Sequence, residues 1–401
     1  MGPFHKLAAP ARALLGDLRL PQAARVARWR DRAGLPARDR GIEAVVRGGV
    51  AWLCRAQDCS ASADGGVARH YSLISGWSSS YPETTGYIAP TMLAVADLWQ
   101  DESLRQRARR MLDWLCRIQL PEGGFQGGRI DSTPVVPVTF NTGQILLGLA
   151  AGTRAFGDAY REPMRRAADW LVKTQDPDGC WRQHPTPFAK YGEKSYDTHV
   201  AWGLLEAARV DPERPYADAA LANVRWALRS QRENGWLDKC CLNNPCEPLT
   251  HTLGYALRGI IEAYRFSGEL RFLEAAKRTG GGLLSALGGD GFLPGRLHPD
   301  WTGAAAWCCL TGSVQVAECW LMLFACLGEP AWRDAACAVN RYVRRTVQLD
   351  ASPDIRGGVQ GSFPVDGGYG TYEYLNWACK FCIDANLRER SVTSAQGDSG
   401  A

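Results

Sequence analysis

The sequence lacks a long apolar run and has no strong excess of charge of either sign. Lys and Arg number 46 and Asp and Glu 42 among 401 residues, and this net charge of +4 is too small to indicate nucleic-acid binding. No apolar signal-peptide core follows Met1, and no run of about 18 apolar residues predicts a transmembrane helix. We therefore expect a cytoplasmic protein whose 14 cysteines are mostly free thiols.

Basic residues are concentrated in the N-terminal segment, residues 1–40, where prolines interrupt any helical pattern. The basic residues of this segment are Lys6, Arg12, Arg19, Arg25, Arg28, Arg30, Arg32, Arg38 and Arg40. The pattern predicts a loosely structured basic arm, most simply a solvated extension. The alternative is contact with a partner or with an acidic membrane surface, which would make the protein peripheral to the inner face of the membrane. At the other end, the polar residues 391–401 predict a disordered tail.

A short phrase recurs along the chain: Trp-Leu, three residues, Gln, then an acidic residue or Asn and a Gly-rich turn. Its copies are 56 to 62 residues apart, which is the signature of a structural repeat. They begin at Trp52, Trp114, Trp170 and Trp226, with weaker copies at Leu283 and Tyr342.

Each repeat predicts two helices. The helix that ends in the phrase is amphipathic, whereas the next one, for example TGQILLGLAAGTRAF, is apolar on nearly every side and must be buried. Six buried and six amphipathic helices predict an all-α fold, an (α/α)6 toroid, over residues 41–390. The helix from Gly41 to Gln57 should close the ring against the last inner helix, and the N-termini of the inner helices should meet at one mouth.

The repeat phrases resemble the QW-type repeats of the alpha-alpha toroid superfamily, which includes terpenoid cyclases and protein prenyltransferases. The resemblance covers roughly residues 41–388. Segments such as PLTHTLGYALRGIIEAY and CLTGSVQVAECWLML resemble, more narrowly, a bacterial group of prenyltransferase-like toroids associated with polysaccharide biosynthesis, whose reaction is unassigned. The resemblance implies the toroid fold and a glycan context.

An isoprenoid reaction is an alternative that lacks its motifs. A proton-initiated cyclase would carry DxDD and a diphosphate-ionising synthase DDxxD, and neither occurs. Protein prenyltransferases hold zinc with Asp, Cys and a later His, but no His follows His298. No cofactor is predicted, and the one weak candidate for a metal site is the set Cys241, Cys246 and His251.

Aromatic, polar and acidic residues gather at the predicted mouth. Candidates for catalysis are His199, His251, Tyr196, Tyr255, Glu83 and Asp197. Candidates for substrate binding are His70, Tyr87, Arg129, Asn141, Gln144, Trp301, Gln315, Tyr372 and Asn376, and Tyr81, Tyr369 and Trp377 belong to the same mouth. Aromatic faces beside amide and carboxyl groups suit a sugar, so a glycan or activated sugar is the expected substrate.

Two sugar chemistries compete, and lyase or epimerase chemistry at C5 of a uronic acid is preferred. There, His199 or Tyr196 would be the base and His251 or Tyr255 the acid, and the residues that neutralise the carboxylate would be Asn141, Gln144 and Arg129. Glycoside hydrolysis would instead use two carboxylates from the set Glu83, Asp197, Asp366 and Glu373.

Each candidate also has a structural interpretation. Asp197 and Asn141 fit helix N-caps, and His199 and His251 fit buried core positions. A glycan-binding scaffold without catalysis is therefore the third alternative.

Overall fold

The computed structural model describes residues 20–190 and 192–397, and helices dominate this part of the chain. Its thirteen α-helices are α1 (Gln22–Arg32), α2 (Ile42–Asp58), α3 (Pro82–Trp99), α4 (Glu102–Ile118), α5 (Thr139–Phe156), α6 (Arg161–Thr174), α7 (Thr198–Val210), α8 (Tyr216–Leu228), α9 (Thr250–Ser267), α10 (Leu270–Ser285), α11 (Leu310–Leu327), α12 (Pro330–Thr346) and α13 (Asn376–Gly397). Short strands lie in the connections: β1 (His70–Ser72), β2 (Gly76–Trp77), β3 (Cys308–Cys309), β4 (Ser362–Phe363) and β5 (Glu373–Leu375).

The helices form two concentric rings, so the predicted toroid is confirmed. The inner ring consists of α3, α5, α7, α9, α11 and α13, and each of these helices packs against the next. The outer ring consists of α2, α4, α6, α8, α10 and α12. Helix α13 packs against both α2 and α3, which closes the ring as the sequence predicted.

The glutamine of the repeat phrase joins neighbouring outer helices. Gln119 Nε2 donates to the carbonyl of Gly123 in its own turn and to that of Pro163 in α6, both at 2.9 Å. Bonds to the next outer helix are also made by Gln57, Gln175 and Gln231. The phrase therefore encodes contact between repeats as well as a helix end.

A glycine with positive φ follows in every repeat. A Cβ at Gly179 would lie 2.5 Å from the carbonyl oxygen of Ala222, and one at Gly291 would lie 2.3 Å from that of Ala338. The other members of this series are Gly65, Gly123, Gly235 and Gly357. Because five of these six turns rest directly on the backbone of the next outer helix, a side chain has no room there. At Gly65 the nearest atom, the carbonyl oxygen of Arg110, is 3.5 Å from the Cβ position, so only the positive φ favours glycine.

The sequence predicted that no segment is apolar enough to span a membrane, and helix α11 is an exception. By length and composition it is the one helix in the described part of the chain that meets this test, with a mean hydropathy of 1.5. Within the toroid, 78% of it is buried. An inner helix surrounded by other helices needs the same apolar composition as a membrane span.

The N-terminal segment is more ordered than predicted over residues 20–40. Helix α1 packs on the toroid through Ala24, Ala27 and Asp31, and Asp31 Oδ2 accepts hydrogen bonds from Gln360 Nε2 (3.0 Å) and the Val365 amide (2.9 Å). Residues 1–19 lie outside the described part of the chain.

The C-terminal tail also differs from its prediction. Helix α13 continues to Gly397, so residues 391–397 are helical rather than disordered. Residues 398–401 lie outside the described part of the chain.

Candidate functional site

The N-termini of the inner helices surround a cavity of about 240 Å³. Half of the residues that line it are Tyr, Phe or Trp: Tyr81, Tyr87, Tyr196, Tyr255, Tyr369, Phe140, Phe188 and Trp377. Polar groups interrupt this wall at Arg69, Glu83, Asn141 and His251. We call this space the mouth cavity.

The structure brings part of the predicted site together here. Six of the candidates line the mouth cavity: Glu83, Tyr87, Asn141, Tyr196, His251 and Tyr255. The sequence reasoning missed Arg69, Phe140, Phe188 and Leu242. Arg69 directly precedes the candidate His70. It lies in a connection before a short strand, so the helical periodicity that identified the other candidates gave no signal for it.

Glu83 lies in the first turn of α3 and is 8% exposed. Its Oε2 accepts a hydrogen bond of 2.9 Å from Tyr81 Oη. Burial raises the pKa of Glu83 to about 7, because the charged carboxylate loses its hydration. Near neutral pH this carboxyl group can therefore hold or release a proton. Beside it, the Asn141 side-chain amide is buried, and its Nδ2 has no hydrogen-bond partner within the described structure.

His251 is held by the neighbouring inner helix. Its Nδ1 lies 2.7 Å from Gln315 Oε1. Since this oxygen only accepts, Nδ1 carries the proton and Nε2 is left unprotonated. Burial lowers the pKa of His251 to about 4, so the ring is neutral at physiological pH. The ring centroid of Tyr255 is 4.4 Å away, and Tyr255 Oη lies 3.4 Å from Tyr87 Oη.

His199 is placed differently from His251, although each is the second residue of its inner helix. Its Nδ1 lies 2.6 Å from Gln144 Oε1, and its ring packs against Tyr255 (4.4 Å) and Trp202 (5.0 Å). Burial lowers the pKa of His199 well below its usual value. The side chain does not line the mouth cavity but lies behind Tyr255.

Asp197 is neither in the mouth cavity nor a helix cap. It ends a short 3-10 turn before α7 and makes no side-chain hydrogen bond to the helix N-terminus. It lines a separate space of about 30 Å³ that also contacts Lys190 and Lys194. Burial raises the pKa of Asp197 to about 8, and the positive charge of Lys194 partly opposes this rise.

Two predicted binding residues lie near the mouth with structural partners. His70 contacts Arg69 Nη1 through Nδ1 (2.6 Å), and its Nε2 lies 3.6 Å from Glu373. Asn376 Nδ2 donates to the carbonyl of Ala68 (2.9 Å) and to Thr84 Oγ1 (2.7 Å). Neither side chain lines the mouth cavity.

Three other predicted binding residues are not brought to the cavity. Arg129 is half-buried and pairs with Asp131 at 3.1 Å. Trp301 donates from Nε1 to the carbonyl of Asn234 (3.0 Å) and packs inside the outer wall. Tyr372 is buried at a turn with positive φ.

The carboxylates named for hydrolysis are also dispersed. Asp366 pairs with Arg28 and Arg32 of α1, at 2.9 and 2.8 Å. Glu373 pairs with Arg69 at 3.0 Å. Among the described residues that line the mouth cavity, Glu83 is the one carboxylate.

The weak metal candidate does not form. Within the described residues, no group of three or more His, Cys, Asp and Glu side chains is arranged to hold a metal ion. Cys246 is exposed, Cys241 is buried, and His251 is engaged with Gln315.

Comparison with known proteins agrees with this architecture. The family model of the squalene-hopene cyclase C-terminal domain matches residues 75–261. No curated protein matches the sequence. The match to the family model, together with several similar solved structures, confirms the resemblance to the alpha-alpha toroid superfamily.

Several solved structures are similar over nearly their whole length. An unsaturated glucuronyl hydrolase specific for heparin has a TM-score of 0.70 at 16% identity, covering 88% of this chain and 98% of its own. The unsaturated glucuronyl hydrolase of Bacillus sp. GL1 has a TM-score of 0.69 at 18% identity, with the same coverage. Cellobiose 2-epimerase from Spirochaeta thermophila has a TM-score of 0.69 at 15% identity, again covering 88% and 98%. At these identities the likeness establishes the fold.

Proposed function

We propose that this protein is a carbohydrate-active enzyme that acts on a glycan or activated sugar in the mouth cavity. The observation that carries the proposal is the pairing of two complementary groups in one aromatic cavity. His251 presents an unprotonated Nε2, while Glu83 has a pKa of about 7 and retains a proton at slightly acidic pH. The similar toroids are described as glucuronyl hydrolases and sugar epimerases, which supports a sugar substrate.

The shape and chemistry of the cavity favour one end of a saccharide. Its volume of about 240 Å³ is somewhat below that of most small-molecule sites, which span roughly 300–1,000 Å³, so it suits a single sugar ring. Tyrosine and tryptophan faces pack on the apolar faces of a sugar ring, while their polar tips meet its hydroxyl groups. Arg69, whose guanidinium lies 5.0 Å above the Trp377 ring and pairs with Glu373, is the one cation among the described lining residues that could meet an acidic sugar.

The preferred reaction is proton transfer at C5 of a uronic acid. His251 Nε2 removes the C5 proton, and Arg69 and the unpartnered Asn141 amide stabilise the charge that develops on the carboxylate. In elimination, a C4–C5 double bond forms, the C4–O bond breaks, and Glu83 protonates the departing oxygen. In epimerisation, a proton returns to C5 from the opposite face. This scheme makes His251 the base instead of the acid, and His199 a positioning residue behind Tyr255.

Glycoside hydrolysis is the second candidate, supported by the likeness to glucuronyl hydrolases. Glu83 would be its general acid. An isoprenoid reaction is supported by the match over residues 75–261. An isoprenoid reaction would need a cavity of aromatic and aliphatic side chains alone. Against it, polar groups interrupt the aromatic wall at Arg69, Glu83, Asn141 and His251.

The test is incubation with a panel of uronic-acid oligosaccharides in deuterated water. We expect deuterium at C5 or the ultraviolet absorbance of a C4–C5 double bond, and we expect His251→Ala to abolish either signal. Its melting temperature should fall little, because water in the mouth cavity can take the place of the ring beside Gln315. His298→Ala, which alters a histidine outside the cavity, is the matched control. His199→Ala should also lose turnover, but should melt earlier because the Gln144 amide is left unpaired.

Other outcomes of this experiment would support the alternative functions. Release of a saturated sugar without exchange at C5 would indicate hydrolysis. Intact saccharide bound in the cavity with no turnover would indicate a binding scaffold. Turnover of an isoprenoid, or exchange that persists in His251→Ala, would overturn the proposed site.

A cytoplasmic location, in part peripheral to the inner face of a membrane, belongs to this proposal. It is supported by the excess of arginine in the N-terminal segment. Fractionation of cells that express the full chain tests it, with recovery outside the cytoplasmic and membrane fractions as the contradicting result.

A further inference from the structure

Large apolar side chains are exposed at few places on the described surface; two of the seven belong to α1 and a third to the turn between β1 and β2. Trp29 is 77% exposed and Val26 is 56% exposed, and both belong to α1. Ile74, in the turn between β1 and β2, is 53% exposed. Val26 and Leu73, the neighbour of Ile74, line the same groove of about 390 Å³, so the helix and the turn form one surface.

The exposed side chains of α1 are arranged as one face. Val26 and Trp29 are three residues apart and therefore project from the same side of the helix. Arg25 and Arg32 lie one turn before and one turn after Trp29, so a positive charge flanks the indole at each end. Arg32 pairs with Asp366 but remains 57% exposed.

The charge of this segment is strongly one-sided. Residues 20–40 contain six arginines and two aspartates, a net charge of +4 that equals the net charge of the whole chain. Four of the six arginines form ion pairs in the described structure: Arg28 and Arg32 with Asp366, Arg30 with the buried Asp31, and Arg40 with Asp350. Asp39 binds Arg344 instead. In the described structure, the exposed side chains of Arg25 and Arg38 form no ion pair. The positive charge of the segment that no carboxylate balances therefore lies on Arg25 and Arg38.

Helix α1 is fixed to the mouth side of the toroid. Asp31 binds the amide of Val365 and the side chain of Gln360, which lie in the connection that leads to α13. Strand β1, which follows Arg69 of the mouth cavity, pairs with β5 in the same layer. A surface that docks on α1 would therefore meet the face on which the mouth cavity lies.

We propose that the face formed by Val26, Trp29 and Ile74, with its flanking arginines, docks the protein on an anionic membrane surface. Tryptophan and aliphatic side chains enter the boundary between headgroups and acyl chains, and arginines bind the lipid phosphates. The face is small and rimmed with positive charge, which complements a negatively charged bilayer. The docking is independent of the sugar chemistry proposed for the mouth cavity.

The experiment is co-sedimentation of the full chain with vesicles of phosphatidylcholine alone or mixed with phosphatidylglycerol. Wild-type protein is expected to sediment with the anionic vesicles and to be released by high salt. The double variant Val26→Ser/Trp29→Ser should bind at least about tenfold more weakly, since apolar insertion is lost. Arg25→Gln should weaken binding about fivefold.

Matched controls alter similar side chains away from this face. Leu270→Ser removes an apolar side chain that is 67% exposed at the start of α10, at the opposite end of the toroid. Lys173→Gln removes an exposed cation from the end of α6. Both controls should bind as the wild type does, and all variants should keep the wild-type melting temperature because the altered side chains are exposed.

Three results would overturn the proposal. The first is no binding of wild-type protein to anionic vesicles. The second is equal loss of binding in the controls and in the Val26→Ser/Trp29→Ser variant. The third is a dimer, detected by light scattering, that this variant converts to monomer without any vesicle binding, because the face would then join two copies of the chain.

Discussion

At the residue scale, burial moves the pKa values of Glu83 and His251 in opposite directions. The pKa of Glu83 rises to about 7 and that of His251 falls to about 4, so both groups are neutral between these values. A protonated acid beside an unprotonated base is the combination that general acid–base catalysis needs. If both act in turnover, kcat/KM should be highest between about pH 4 and about pH 7.

The raised pKa of Glu83 also has a measurable effect on stability. Between its usual pKa of 4.5 and about 7, the folded protein retains a proton that the unfolded chain has released. Stability from this group is therefore present below pH 4.5 and is lost as the pH rises through 7. Glu83→Gln should raise the free energy of unfolding by roughly 2–3 kcal/mol near about pH 8 and change it little near about pH 4.

Urea unfolding of both proteins at the two pH values measures this difference. Glu122→Gln, at an exposed carboxylate, is the control and should change stability by less than about 0.5 kcal/mol at either pH. A Glu83→Gln effect of the same size at both pH values would contradict the pKa assigned to Glu83.

At the scale of the element, the repeat phrase owes its regularity to contacts between consecutive repeats. Its glutamine reaches the next outer helix, and its glycine lets the turn rest on that helix. Both contacts are made by neighbours in sequence, so the same residues recur at nearly the same interval. The regular spacing of the phrase along the sequence therefore reflects the packing of each repeat against the next.

Substituting two glycines, one in a repeat turn and one inside a helix, distinguishes the effect of close packing from the effect of helix propensity. Gly235 has φ +83°, and a Cβ there would lie 2.4 Å from the Arg278 carbonyl group, so Gly235→Ala should destabilise by at least about 2 kcal/mol. Gly281, inside α10, has no atom within 4 Å of its Cβ position, so Gly281→Ala should stabilise by about 0.5–1 kcal/mol. Thermal and urea unfolding measure both variants, and equal effects would contradict the packing described here.

At the scale of the whole molecule, Arg344 joins the first and last parts of the chain. Its guanidinium is 5% exposed and binds Asp39, Asn386 (2.8 Å) and Glu389 (2.9 Å). Asp39 precedes α2, while Asn386 and Glu389 belong to α13. These bonds therefore fasten the closed ring at the place where its ends meet.

Removing this link tests whether the ring unfolds as one unit. Arg344→Gln leaves the buried Glu389 without its charge partner and should lower the free energy of unfolding by about 3–5 kcal/mol in a single transition. Arg341→Gln, at an exposed position on the same helix, should change stability by less than about 0.5 kcal/mol. Two separate transitions in calorimetry would show instead that the seam opens independently.

The mouth cavity was predictable in part, because several of the residues that line it lie near the N-termini of inner helices. Glu83, Asn141, His251 and Tyr255 lie at such starts, and periodicity placed them at one mouth. Arg69 lies in a long connection outside any period and was missed. Arg129 and Trp301 were assigned to the mouth from similar connections, but the chain folds them outward or into the wall.

The sequence by itself determined the toroid, because helical period and repeat spacing depend on local and neighbouring contacts. Only the tertiary structure decided which of two similarly placed histidines meets the cavity. His199 is held by Gln144 from the preceding inner helix and lies behind Tyr255, whereas His251 is held by Gln315 from the following one and lines the cavity. The difference between the two histidines depends on how the connections before the inner helices pack around the cavity. The spacing of residues along the chain does not specify that packing.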